Sequence, residues 1–300
     1  MKRRRDNIQG RDRPGLSIID KPFYNLHCKH RSGACDEPKV KEVDNMEKIG
    51  QLELNRIYHM DCLEGMKLIP DKSIDMILCD LPYGTTACRW DTVIPFEPLW
   101  EQYERIIKDN GAIVLTASQP FTSALVMSNP KLFRYEWIWD KCNVTGHLQA
   151  KRMPMKQHES VLVFSKKQTK YNPQFEYIDE NDYRFSKKGR VRKTKDNTVY
   201  GFIEGGRTLE SGKRYPKTII KFNNSNHRGK LHPTQKPVAL FEYLIKTYTN
   251  EGEIVLDNCM GSGTTAIAAL KTNRRFIGFE IDAEYYKMAN ERIKKFQSEI

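Results

Sequence analysis

The pattern of apolar and polar positions divides the chain into three textures. Residues 1–50 are polar, charged and aperiodic, which predicts a flexible charged tail. From residue 55 short apolar runs begin, at 57–60, 74–79, 112–117, 135–139 and 160–164, and after a gap at 254–256 and 276–279. Between them lie segments of helical period at 97–108, 119–128, 238–248, 263–272 and 283–296. In the last of these, Tyr286, Ala289 and Ile293 recur at helical spacing. Seven short apolar runs alternating with helices predict an α/β fold, a mostly parallel sheet with helices on both faces.

The gap between the runs differs in kind. Residues 165–230 hold 17 lysines and arginines against seven acids, so this segment carries +10 of the formal net charge of +12. Nine aromatic residues are interleaved with the charges, Tyr171, Tyr183, Tyr200 and Phe222 among them. A basic, aromatic-bearing insertion suits a polyanionic partner, with Lys187, Lys188, Arg190, Arg192 and Lys193 the densest candidate DNA-binding cluster. A solvated surface insertion is the bland reading of the same composition. The textures therefore divide the chain into a tail (1–50), a first α/β segment (51–164), a basic insertion (165–230) and a second α/β segment (231–300).

Seven scattered cysteines form no disulfide framework, which predicts a reducing, cytoplasmic setting. No apolar run reaches the roughly 18 residues of a membrane span. Lys2, Arg3, Arg4 and Arg5 open the chain without the apolar stretch of a secretory signal. His27, Cys28, His30 and Cys35 cluster in the tail, but their spacing matches no common zinc site, and no metal is expected.

Candidate chemistry sits where the apolar runs end. Asp80-Leu81-Pro82-Tyr83-Gly84 follows the run at 74–79, and ligands in open α/β sheets bind beyond the carboxyl ends of strands. A carboxylate at Asp80 and a backbone carbonyl at Leu81 are two acceptors for one exocyclic NH₂. Pro82 fixes the chain direction, and Tyr83 offers a flat face for an extruded base. Taken alone, the tetrapeptide also fits an ordinary strand-end turn. Asp257-Asn258-Cys259-Met260-Gly261-Ser262-Gly263-Thr264 ends another run and opens a helix, so its glycines allow close backbone approach. Asp257 can face a cationic ligand, and Glu280, at the end of the next run, can grip ribose hydroxyls. The segment is neither a dinucleotide fingerprint nor a phosphate loop. Asp61, after the first run, is a candidate for an adenine amine or a plain helix cap. Lys236 and Pro237, in His232-Pro233-Thr234-Gln235-Lys236-Pro237, cap a cofactor pocket or simply start a helix.

In combination these segments resemble the DNA amino-methyltransferases, which methylate adenine N6 or cytosine N4. Asp80-Leu81-Pro82-Tyr83 is similar to the family's Asp-Pro-Pro-Tyr motif, with Leu81 in place of the first proline. Asp257 to Thr264 is similar to its Asp-x-Phe-x-Gly-Ser-Gly-Thr motif, with Cys259 in place of the aromatic residue. Residues 232–237 and Asp61 match the flanking cofactor segments, and the order of motifs is that of the family's beta group. The resemblance covers about 55–296 and implies a Rossmann-like seven-stranded sheet, S-adenosyl-L-methionine as methyl donor and a flipped base. It also implies that 51–164 is the catalytic half, 165–230 the target-recognition region and 231–300 the cofactor-binding half. It implies double-stranded DNA as partner. A homodimer and a cognate restriction enzyme are also in keeping with the family. Asp80 at the head of the motif favours adenine N6, since the cytosine N4 group more often begins with Ser. Direct transfer is expected, because no Pro-Cys pair is present for cytosine C5 chemistry. A non-catalytic DNA-binding protein of the same fold, and an RNA or protein amine methyltransferase, remain as alternatives.

Overall fold

In the computed structural model, the chain divides into Met1–Asp44 and Asn45–Ile300. The structure describes residues 47–85, 91–179, 181, 212–224 and 235–299, and the backbone of four short strands between 191 and 207. The tail and its Cys/His cluster lie outside the described residues, as do 232–234, Lys187, Lys188, Arg190 and Lys193.

One eight-stranded sheet organises the larger unit. Its strands are β1 (Arg56–His59), β2 (Ile74–Cys79), β3 (Ile107–Ala117), β4 (Phe133–Thr145), β5 (Lys156–Phe164), β6 (Ile219–Lys221), β7 (Ile254–Asp257) and β8 (Arg275–Glu280). They lie in the order β6-β4-β5-β3-β2-β7-β8-β1. Only β5 runs antiparallel to its neighbours; the other pairings are parallel. The seven strands expected are all present. The eighth, β6, is three residues long and had no apolar run to reveal it.

Central strands of a parallel sheet are covered on both faces and read as continuous apolar runs. All six residues of β2 are buried. Alternate residues serve opposite faces: Ile77 and Cys79 enter one core with Ile113 and Leu115, whereas Met76 and Leu78 enter the other with Ala112 and Val114. The first core is closed by α1 (Cys62–Lys67), α2 (Phe96–Ile106) and α3 (Phe121–Ser128). The second is closed by α4 (Val238–Tyr248), α5 (Thr264–Lys271) and α6 (Ala283–Ser298). In α2, Leu99, Trp100, Tyr103 and Ile106 form the buried stripe that helical spacing requires. Asp75, the one acid within β2, is 3% exposed. It survives burial because Lys108 (2.8 Å) and Lys170 (3.3 Å) pair with it and the Ile254 amide donates to it.

The topology fixes where a ligand can sit. From β2 the chain moves to β3 on one side, while from β7 it moves to β8 on the other. Connections that leave two adjacent parallel strands in opposite directions open a crevice beyond their carboxyl ends. Asp80 follows β2, and Asp257 ends β7.

The region 165–230 is partly organised by β-pairing. Glu176–Tyr177 pairs with Lys213–Arg214, Val191–Arg192 with Gly206–Arg207, and Lys195–Asn197 with Gly201–Ile203. These antiparallel pairs nest one inside another, as in an extended hairpin. Among the described residues no helix is long and apolar enough to cross a membrane.

Helix α1 packs on β8 through Gly65. A Cβ at Gly65 would overlap the Phe279 ring, with ring atom Cζ only 2.8 Å away. Phe279 is fully buried and cannot swing aside. Gly65→Ala is therefore expected to destabilise the fold by about 1–3 kcal/mol, the usual cost of overpacking. A lowered urea midpoint with an unchanged m value would show it; an unchanged midpoint would contradict this packing.

Candidate active site

Beyond β2 and β7 lies a cavity of about 1050 Å³. Its walls include Asp61, Asp80, Leu81, Pro82, Tyr83, Lys236, Asp257, Gly261, Ser262, Thr264 and Glu280. The structure thus brings together eleven of the sequence-predicted residues from segments up to 219 positions apart. Pro237 and Gly263 stand behind the wall. Pro237 occupies the N-cap position of α4. Gly263, at φ +79°, lets α5 approach α6: a Cβ there would meet the Ala289 Cβ at 3.2 Å. Of the predicted basic cluster, only the backbone of Arg192 is described.

At one end of the cavity three donors hold the Asp80 carboxylate. Its Oδ1 accepts from the hydroxyls of Tyr83 (2.8 Å) and Thr116. Its Oδ2 accepts from Lys236 Nζ at 2.6 Å. Lys236 is 8% exposed, so its ammonium is almost wholly removed from water. Burial opposes that charge, but Asp80 and Glu159 outweigh it and hold the pKa above the ordinary lysine value. Glu159 lies 3.5 Å from Lys236 and 3.3 Å from Lys141, extending the ion pairs across β4 and β5. Tyr83 stacks on Phe121 (5.2 Å between centroids, 25° between planes). Its pKa is pushed well up by burial and by the Asp80 charge, so the phenol stays a neutral donor. Leu81 buries its side chain in the core. Asp91 accepts from the Gly84 and Thr85 amides at 2.8 and 2.9 Å and fixes the turn after Tyr83.

The other end is built from β7, β8 and the turn before α5. Asp257 is 3% exposed; it accepts from the Cys259 amide (3.0 Å) and from the Thr265 hydroxyl. Burial pushes its pKa up to about 6. Glu280 accepts from the Gly261 amide (2.7 Å) and the Asp282 amide (2.8 Å), and burial raises its pKa as well. Gly261 has φ +53°, and a Cβ there would meet nothing nearer than the Cys259 carbonyl oxygen at 4.0 Å, so a ligand can lie against its backbone. A cationic, hydroxyl-bearing ligand suits two carboxyls whose pKa values burial has raised, because its charge would favour their ionised forms. Asp61 accepts from the Leu63 and Glu64 amides at 2.8 and 3.3 Å, so it caps α1 while lining the cavity. Lys236 touches both ends, since its carbonyl accepts from Thr264 Oγ1 at 3.5 Å.

The cysteines nearest the chemistry are not poised as nucleophiles. Burial raises Cys79 to about 12. Hydrogen bonding to Cys259 and burial raise Cys62. For Cys259, the bond to Cys79 and burial outweigh the bond from Cys62. The three remain neutral thiols, and the thiolate is the reactive form. Among the described residues no group of three or more His, Cys, Asp or Glu is arranged to hold a metal ion.

Thr116, Asp91, Glu159 and Lys141 escaped the sequence reading. Thr116 lies inside an apolar strand, and Lys141 and Glu159 fall on strand extensions with no motif around them. Thr116, Lys141 and Glu159 are revealed only by contacts across the sheet, and Asp91 only by its bonds to the Gly84 and Thr85 amides.

Comparison with known proteins agrees with this geometry. Residues 74–291 match the model of the DNA methylase family, N6_N4_Mtase. The chain is 30% identical over 268 residues to the Type II methyltransferase M1.MboII of Moraxella bovis, covering 80% of this chain and 96% of that protein. It is 29% identical to the DNA adenine methyltransferase YhdJ of Escherichia coli K12, covering 80% and 83% respectively. Among solved structures, the M1.HpyAVI–SAM complex superposes with TM-score 0.53 at 26% identity, covering 79% of this chain and 98% of that one. The cytosine-N4-specific PvuII DNA methyltransferase shares the fold at TM-score 0.57 and 16% identity, covering 81% and 89%. With its motif-bearing carboxylates gathered at the switch point of a mostly parallel sheet, the chain belongs to the DNA amino-methyltransferase family and is an S-adenosylmethionine-dependent DNA N-methyltransferase.

Proposed function

We propose that the chain methylates adenine at N6. The observation that carries this reading is the Asp80 carboxylate, held at the cavity wall by Lys236, Thr116 and Tyr83. An exocyclic amine is a weak nucleophile because its lone pair is delocalised into the ring. An anionic acceptor at one N–H and the Leu81 carbonyl at the other favour a pyramidal nitrogen with a localised lone pair. Because the surrounding donors are fixed before the base arrives, little reorganisation accompanies the reaction. Lys236 pairs with the carboxylate and balances its charge at the cavity wall. Tyr83, braced by Phe121, offers the base a face to stack on. Asp at the head of the motif, together with a relative named as a DNA adenine methyltransferase, supports adenine over cytosine.

The opposite end fits the methyl donor. The bound cofactor supplies an electrophilic methyl group on a sulfonium. Asp257 and Glu280 answer its cationic and hydroxyl groups, Gly261 admits its close approach, and Ser262, Thr264 and Asp61 complete the wall. Positioning amine and donor in one cavity accounts for the catalysis without a covalent enzyme intermediate. The basic region 165–230 is the proposed target-recognition segment, with Lys187, Lys188, Arg190, Arg192 and Lys193 on DNA phosphates.

Three measurements test the reading. Asp80→Ala is expected to lower turnover at least about 100-fold while leaving cofactor affinity within about threefold. Asp80→Asn, which keeps the shape around Lys236, should show the same split. Near-normal turnover in the folded Asn variant would remove Asp80 from the mechanism. Cofactor affinity should rise with pH up to about 6 and level off above it, because the free Asp257 carboxyl titrates there and the cation favours the ionised form. Below that point the loss is up to about tenfold per pH unit. Calorimetry on Asp257→Asn should give weaker binding with a shallower slope; the same affinity and slope as the wild type would place the cofactor elsewhere. Finally, nucleosides from DNA methylated by the purified protein should contain N6-methyladenine, and N4-methylcytosine in its place would overturn the choice of base.

A further inference from the structure

Strands β4 and β5 run past the body of the sheet as a projecting hairpin. Their outermost pair is Thr145 with Lys156. Asn143, Val144, Thr145 and Lys156 line the cavity, so the hairpin rises directly from the wall of the active site. Every residue from 145 to 158 is exposed. From 141 to 158 there are four lysines and arginines and no acid. The end of the hairpin is nonetheless ordered. The turn His147–Gln149 begins at Gly146, whose φ is +92°. The amides of Gln149, Ala150, Arg152 and Met153 all find carbonyls within the turn at 2.8–3.2 Å. At this tip Leu148 is 100% exposed, and Met153 (58%) and Met155 (42%) follow it along the turn. Lys151 and Arg152 lie between Leu148 and Met153 in the chain.

A rigid, cationic turn that presents a fully exposed leucine is arranged for a surface that is both anionic and internally apolar. Duplex DNA is such a surface, with phosphates outside and stacked bases within. The reaction also creates a need for it. The Asp80 carboxylate lies in the cavity wall, so a base must leave the stack to reach it, and the vacated position opens a gap. Apolar side chains that enter base steps stabilise such distorted duplexes.

We propose that the 146–155 hairpin tip docks on the substrate duplex and that Leu148 enters the stack vacated by the target base, with Lys151 and Arg152 on the adjoining phosphates. The proposal rests on the base-methylating reading of the cavity and adds a contact outside 165–230. Leu148 acts as a positioning residue: it touches neither the amine nor the cofactor, and it stabilises the extruded state.

The test uses a duplex carrying the methylated site, identified by sequencing methylated DNA, and a second duplex lacking the base opposite the target. Extrusion is easier in the second duplex, because pairing is already lost. Leu148→Ala is expected to lower turnover about tenfold or more on the paired duplex and to recover to within about threefold of wild type on the second. S-adenosylmethionine affinity, read by calorimetry, should be unchanged. Lys151→Ala with Arg152→Ala should weaken binding to both duplexes and lower the salt dependence by about two phosphate contacts, with no recovery on the second. Wild-type turnover by Leu148→Ala on the paired duplex would overturn the proposal, as would an equal loss on both duplexes. Absence of methyl transfer by the wild-type protein to any DNA would instead overturn the underlying reading of the cavity.

Discussion

Lys236 and Asp80 lie 156 positions apart, and the 2.6 Å contact between them joins the turn after β2 to the segment before α4. Lys236 is 8% exposed, and an ammonium so removed from water persists only beside a compensating carboxylate. Breaking such a pair from one side costs about 3–5 kcal/mol, because the partner is left buried and uncompensated. Lys236 in turn sits just before α4, and its carbonyl meets Thr264 at the start of α5. The residue therefore ties the carboxylate proposed to hold the amine to the wall proposed to hold the methyl donor.

Around this contact the cavity has two electrostatic characters. At the Asp80 end the carboxylate is matched by Lys236, and Glu159 and Lys141 continue the alternation of charge. At the Asp257 end two buried carboxyls have no lysine or arginine salt bridge among the described residues, and both are raised toward their neutral forms. The first arrangement is complete before any ligand enters. The second lacks the positive charge that would stabilise it. That asymmetry matches a fixed acceptor for a neutral amine at one end and a seat for a cationic donor at the other.

Much of this was legible in the sequence. Strands β2, β7 and β8 are nearly pure apolar runs, and each ends at a polar motif, so order and chemistry could be read together. What escaped follows from what periodicity measures. Lys156, Gln157 and His158 extend β5 as a polar, solvated ladder with no apolar face to register. Helix α1 is six residues long, too short for a periodic pattern, and only its Asp61 cap hinted at it. Lys236 was expected beside the cofactor by its place in the chain. That its Nζ reaches Asp80 depends on the crossing of distant segments, which no local pattern encodes. The functional weight of Glu159 and Lys141 is hidden for the same reason.

The central claim is that one cavity holds the methyl donor at its Asp257–Glu280 end and presents the transferable methyl toward Asp80. A crystal structure of the protein soaked with S-adenosylmethionine tests it most directly. The ribose is expected against Glu280, the adenosyl and amino acid groups along the turn at Gly261, and the sulfonium methyl facing the open side of Asp80. A cofactor bound outside this cavity, or bound within it with the methyl turned away from Asp80, would contradict it.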